Sequence, residues 1–388
     1  MTPRSRGWAP SLVVSLIAVL VGCGQGAERS PEAKRPVAPH PAASVRPRPA
    51  VPPPLDARDV YAADRPGRLS PVVRGMTSRI YVPNSQSNTV DEIDPKTYKI
   101  VRHFAVGALP QHVVPSYDLR RLWVNNDLGN SLTPIDPRTG RPGKPVPVED
   151  PYNLYFTPDG RYATVMAERF KRIDFRDAHT MKLRHELQVP SCPGVNHSDV
   201  TADGRFMLAS CEFGGRMIVI DVARQKLIRT VPLRVGGMPQ DVKLSPDGRI
   251  FYVADMATNG VWMIDARSFR KLGFLPTGAG AHGLYVSRDS RDLYVSNRMA
   301  GSVSVVSTRT RRVAKTWHIP GGGSPDMGGV SADGKVLWLS GRYSSEVYAM
   351  STRDGRLLAR IKVGAGPHGL CVYPQPGRYS LGHTGVFR

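Results

Sequence analysis

Four of the ten histidines, His112, His197, His282 and His368, fall in one register of a repeated sequence. Imidazole ligates metals and shuttles protons near neutral pH. The register is counted from a recurring turn whose acidic residue is Asp118, Asp159, Asp203, Asp247, Asp289 or Asp333. Seven and six residues before these stand Gln111-His112, Tyr152-Asn153, Asn196-His197, Gln240-Asp241, His282-Gly283 and Asp326-Met327. His368-Gly369 repeats the pattern near the C-terminus. Each unit thus offers a polar or ionisable side chain at an equivalent place, as a ring around a ligand requires. His282, Asp326 and His368 belong to three consecutive units and are placed to share one divalent metal ion. Wetted polar side chains at a channel opening need no ligand, so the pattern marks a face rather than a reaction.

Cys192 and Cys211 flank the Asp203-Gly204 hairpin, which brings them near one another. In an oxidising compartment they are expected to form a disulfide. A metal cluster of Cys192, His197 and Cys211 is the other reading, although its spacing matches no standard zinc motif. Cys371 reads as a small buried apolar residue. Gly321-Gly322-Gly323-Ser324 lacks the Lys-Ser/Thr and helix of a phosphate-binding loop.

The elements that must position these groups are strands. The turn Ser245-Pro246-Asp247-Gly248 has relatives at Thr157–Gly160, Thr201–Gly204 and Ser331–Gly334, and the turn aspartates are spaced by 41, 44, 44, 42 and 44 residues. A strand follows each turn, as in Phe251-Tyr252-Val253-Ala254 and Leu293-Tyr294-Val295-Ser296. Ile80-Tyr81-Val82 begins the series without a turn, which makes seven such strands. The next strand often closes on Asp, in Ile93-Asp94, Ile135-Asp136, Ile173-Asp174, Ile220-Asp221 and Ile264-Asp265. Asp-Gly supplies the positive φ of a tight hairpin. Four short antiparallel strands in roughly 42 residues make a propeller blade. The expected fold class is therefore all-β, a seven-bladed β-propeller over residues 66–388. His368-Gly369-Leu370-Cys371-Val372-Tyr373 matches the start of the His282 strand, so the C-terminus is expected to supply the first blade's inner strand and remove an open edge. Leu69–Val73 competes for that place.

Tyr81-Val82-Pro83-Asn84, followed by Asn88-Thr89-Val90 and Ile93-Asp94, resembles the repeat of the YVTN family of propellers. Leu293–Asn297 with Gly301–Val306 is similar, and the likeness spans about residues 78–375. It implies the propeller fold strongly and an activity weakly. Propellers of this kind include lactonases, an antibiotic-opening lyase and the haem-binding propeller of cytochrome nitrite reductases. The resemblance therefore allows a metal-dependent hydrolase or lyase, or a haem or metal carrier. The preferred expectation is a binding module for a protein, a wall polymer or a small molecule, because the polar residues form no recognisable catalytic set.

Arg4 and Arg6 precede a short apolar run that ends in Leu20-Val21-Gly22-Cys23. This resembles a bacterial lipoprotein signal, so residues 1–22 are expected to be removed and Cys23 lipidated. The protein is then extracytoplasmic and held to the membrane. Residues 23–65 read as a tether, with nine prolines between Pro31 and Pro54. The 388 residues, 40% hydrophobic, suffice for one large core. Net charge is +21, which favours polyanions. No Lys/Arg run is interleaved with aromatics, so nucleic acid is not an expected partner. A monomer is expected.

Overall fold

The computed structural model describes residues 51–383 and 387–388. The lipobox and Cys23 lie outside these residues. Seven sheets of antiparallel strands make a seven-bladed β-propeller. The innermost strands are Cys371–Tyr373, Pro110–Pro115, Asn153–Phe156, Val195–Val200, Pro239–Leu244, Ala281–Val286 and Pro325–Val330, for blades one to seven. Six blades have four strands. In the second, the outer position is split between Arg141–Pro142 and Val146–Pro147. No helix among the described residues is long and apolar enough to cross a membrane.

The C-terminal strand closes the ring. Tyr373, Val372 and Cys371 pair with Arg79, Ile80 and Tyr81. Leu69–Val73 does not take this place. Pro71–Val73 is a short 3-10 turn, and Leu69 bridges Pro376 and Gly377 beside the sheet.

The turn chemistry explains the repeat. Ser245 Oγ donates to Asp247 Oδ1, which also accepts from Arg249 N, while Ser245 Oγ accepts from Ile250 N. The same hydroxyl–carboxylate bond joins Thr157 to Asp159, Thr201 to Asp203, Ser287 to Asp289, Ser331 to Asp333 and Ser116 to Asp118. Gly248 follows at φ +69°, the left-handed conformation that glycine adopts without strain. In the third blade the second turn aspartate is Asp177, not Asp174. Its strand runs three residues further, and Asp174 is buried between Arg172 and Arg176.

The expected tether ends earlier than residue 65. Val60, Tyr61, Ala63 and Asp64 are buried. Val60 N donates to Pro246 O, and Tyr61 Oη donates to Leu244 O at 2.8 Å. The apolar Val60-Tyr61 pair packs with Val242, Leu244 and Phe251, a burial that its proline-rich surroundings concealed. Cys192 and Cys211 are joined as a disulfide, and Cys371 is buried and free.

Apolar side chains fill the seams between blades. Trp338, Val347 and Ala349 of the seventh blade pack against Ile80, Val82 and Val372 of the first. Trp338→Ala is expected to destabilise by about 3–5 kcal/mol. Because that seam backs the closing strand, hydrogen exchange should show residues 371–373 losing protection first.

Candidate functional site

Two tiers of polar side chains fill the propeller axis. In five blades the inner strand slips register at its start, between Pro110 and His112, Val195 and Ser198, Pro239 and Val242, Ala281 and Leu284, and Pro325 and Gly328. Such bulges re-aim side chains, and they sit on the residue pairs counted from the turns. Gln111, Asn153, Asn196, Gln240, Asp241, His282, Asp326 and His368 are all buried, as are His112 and His197. The sequence pictured a wet channel mouth. The structure places these groups in a packed axis.

His282, Asp326 and His368 do converge, but around a guanidinium. Arg298 donates to Asp326 Oδ1 and to His282 Nε2. His368 Nδ1 lies 2.7 Å from Asp326 Oδ2. His282 Nδ1 is 3.0 Å from Asp326 Oδ1, yet off line for a hydrogen bond. Burial alone would raise the Asp326 carboxyl, but Arg298 and His282 bring it below its usual range. Both carboxylate oxygens and the His282 Nε2 lone pair are thus engaged. The three residues expected to share a metal ion are thus brought together in an ion-paired hub that includes Arg298.

A second group of histidines was not expected. His112, His197 and His383 each bring a ring nitrogen within 4.8 Å of the others. Their Nε2 atoms have no hydrogen-bond partner among the described residues. On the other side of the rings, His112 Nδ1 lies 2.9 Å from Tyr152 O, and Asn153 Nδ2 lies 3.1 Å from His197 Nδ1 and 3.4 Å from His383 Nδ1. Gly369 makes room, since a Cβ there would stand 2.0 Å from the His112 ring. Burial pushes His112 down to about 4. Burial and then the neighbouring imidazoles hold His197 and His383 well below the ordinary range. All three rings are therefore neutral at pH 7.

The far end of the axis is stoppered. Arg388 donates to Asp199 Oδ1 at 2.9 Å and lies over the Tyr61 ring. Leu381 O accepts from Phe156 N, and His383 N donates to Leu154 O.

The near end carries a charged ring. The residue after each second strand is, in blade order, Ser85, Asp127, Glu168, Glu212, Met256, Arg298 and Arg342. Acids occupy blades two to four and arginines blades six and seven. Arg342 reaches Ser85 Oγ at 3.1 Å and Gln111 Oε1 at 3.4 Å. Glu212 accepts from Asn196 Nδ2 at 2.8 Å. Burial, then Glu212 and Glu168, hold the Tyr152 phenol well above its usual range, against the pull of Arg342 and Arg298. Tyr152 therefore lies in the field of both halves. Burial, followed by repulsion from Glu212 and Asp127, pushes Glu168 up to about 9. Burial and the shared hydrogen bond with Asp150 push Asp127 up to about 7. Burial likewise raises Glu212. Leu128, Phe213, Met299 and Tyr343 stand exposed at the next ring position, each by half its surface or more. Sequence reasoning missed this ring, although its positions recur with the same spacing as the turn aspartates.

Fold and axis together define a seven-bladed propeller with a sealed end and a polar, charge-divided end. The chain belongs to the YncE-like β-propeller family, whose model matches residues 68–376. Among curated relatives, the uncharacterized protein YncE of Salmonella typhi is 24% identical over 271 residues, covering 62% of this chain and 73% of its own. The periplasmic gluconolactonase PpgL of Pseudomonas aeruginosa superposes with a TM-score of 0.64 at 19% identity, over 77% of this chain and 99% of its own. Dihydro-heme d1 dehydrogenase NirN superposes at 0.58 with 15% identity, over 79% and 76%. These structural likenesses concern the fold.

Glu168 also sets a pH dependence. Its folded carboxyl holds a proton that the unfolded chain loses near its ordinary 4.5. Where the folded state binds more protons, stability falls as pH rises. Thermal melts should show that fall between about pH 5 and pH 9, and Glu168→Gln should flatten it.

Proposed function

We propose that the protein is an extracytoplasmic binding propeller whose charge-divided face takes a small hydroxylated carboxylate. The observation that carries this reading is the division of one ring into a basic half, Arg298 and Arg342, and an acidic half, Asp127, Glu168 and Glu212. Guanidinium groups bind carboxylates through paired, charge-assisted hydrogen bonds. Arg298 is already committed to Asp326, which leaves Arg342 as the more available donor. A carboxyl kept protonated at neutral pH donates a hydrogen bond to a hydroxyl or carbonyl oxygen. Glu168 supplies that donor across the axis. The exposed Phe213, Met299 and Tyr343 give the ligand an apolar surround. One neighbour of the same fold is named a periplasmic gluconolactonase, a name that joins this fold to an extracytoplasmic compartment and a sugar-acid lactone.

Calorimetric titration of the purified protein with D-gluconate tests the reading, with glucose as the uncharged control. Gluconate should bind, glucose should not, and Arg342→Gln should weaken binding at least about tenfold, or about 1.4 kcal/mol. Equal binding of both sugars, or indifference to Arg342→Gln, overturns the assignment. Turnover of δ-gluconolactone that is lost in Arg342→Gln would make the face catalytic instead.

The anchor reading rests on Leu20-Val21-Gly22-Cys23 behind a short apolar run. Acyl chains add about 0.8 kcal/mol of membrane affinity per buried methylene. Cys23→Ser should move the protein from the membrane fraction to the soluble extracytoplasmic fraction on immunoblots. Unchanged retention refutes the anchor.

A further inference from the structure

We infer that His112, His197 and His383 bind one divalent transition-metal ion of the zinc type, which ties the C-terminal segment to the inner strands. The histidines come from three separated pieces of chain: the second-blade inner strand, the fourth-blade inner strand and the segment after residue 376. Ring centroids lie 5.6, 5.0 and 4.9 Å apart, with the planes crossed by 86°, 76° and 68°. All three side chains are fully buried.

The decisive feature is that each of the three buried imidazoles brings a ring nitrogen within 4.8 Å of the others, with Nε2 unpartnered on every ring among the described residues. Buried polar nitrogens nearly always find partners, and exceptions call for a bound water or ion. His112 keeps a free lone pair at Nε2, whereas the Asn153 amide nitrogen can only donate to His197 Nδ1 and His383 Nδ1, so those two rings carry their lone pairs at Nδ1. The Nδ1 sides are held by Tyr152 O, Tyr155 Oη and the Asn153 amide. At His112 the contact with Tyr152 O is of the kind that orients a ligating imidazole. His112 is the clearest case. A carbonyl at Nδ1 requires the proton there, which leaves Nε2 as acceptor.

The donor chemistry selects the ion. Three imidazoles suit zinc, copper, nickel or cobalt, whereas calcium and magnesium take oxygen ligands. Zn–N bonds of about 2.1 Å set nitrogens about 3.4 Å apart in a tetrahedron. The nitrogens now span up to 4.8 Å, so binding requires the His197 and His383 lone pairs to turn from the Asn153 amide towards the ion. Asp241 Oδ1 stands 3.7 Å from His383 Nε2 and offers a countercharge. Lys243 on the same strand opposes a cation, and the buried Asp199 and Asp241 answer it. His383 lies outside the family match at 68–376, whereas His112 and His197 lie within it.

The test is zinc and cobalt binding by the chelator-stripped, refilled protein. Equilibrium dialysis with elemental analysis should give one equivalent per chain. Cobalt should produce visible bands of a nitrogen-ligated ion, and zinc should raise the melting temperature. His383→Ala alters only the terminal segment and should weaken binding more than the roughly 10–100-fold carried by outer-shell partners. It should also erase the cobalt spectrum. The exposed His185→Ala should change nothing, and Arg342→Gln should leave metal binding intact while weakening gluconate. A folded wild-type protein that takes up no stoichiometric metal overturns the site. So does full binding in both His383→Ala and His197→Gln, which would assign the metal to other histidines.

Discussion

Three residue pairs hold the ring shut: Arg79 with Tyr373, Ile80 with Val372 and Tyr81 with Cys371. Closure forces seven inner strands round one axis. Side chains at the strand starts then lose water and can satisfy one another only across blades. Arg298 of the sixth blade meets Asp326 of the seventh, and His368 of the first blade meets the same carboxylate. Removing one partner from such a buried pair strands a charge, at a cost of about 3–5 kcal/mol. The polar axis and the closure therefore depend on each other. The ring brings the charges together, and their pairing makes the ring's interior tolerable.

The two ends of the axis have different fates. At the turn end, the segments before and after the repeats fold inward. Tyr61, Asp64 and Arg388 pair with Leu244, Arg288 and Asp199. At the other end the loops leave a ring of ionisable residues partly open. Its acids cluster on neighbouring blades, where Glu212 and Asp127, after burial, raise the affinity of Glu168 for a proton. Its arginines sit opposite, where they cannot neutralise those acids by contact. Among the described residues no salt bridge joins Arg298 or Arg342 to Asp127, Glu168 or Glu212, and Arg298 pairs with Asp326 instead.

The periodic part of this arrangement was legible in the sequence. Blade number, turn type and ring closure all follow from short-range patterns repeated at fixed spacing. So did the axial pairs, since Gln240-Asp241 and Asn196-His197 stand at one distance from their turns. What filled the axis was hidden. His383, Arg388 and Tyr61 lie in segments without repeats, and their contacts span long stretches of chain, 230 residues from Asn153 to His383 and more from Tyr61 to Arg388. Arg298 was also hidden, and it joins His282, Asp326 and His368 in an ion-paired hub. The register was counted from the turns at one end of the strands, whereas the charged ring follows the other end.

The motif that reveals the family is itself spent on folding. Asn84 Nδ2 donates to Thr89 Oγ1 and Asp91 Oδ2, Asn126 Nδ2 to Ser131 and Thr133, and Asn297 Nδ2 to Ser302 and Ser304. Each amide locks the loop between the second and third strands of its own blade. A Cβ on Gly364, Gly107 or Gly278 would collide with the same three asparagines at 2.7 Å, so motif and glycine are fitted to one another. Neither is free to answer to a ligand. The next residue along, Ser85, Asp127 or Arg298, makes no such bond within its own loop, although Ser85 Oγ donates to Pro110 O and Arg298 pairs with Asp326, and it is the one that faces the axis. Substitution at those positions would change the lining of the axis and leave the asparagine–glycine fit untouched, except that at Arg298 it would also break the buried pair with Asp326.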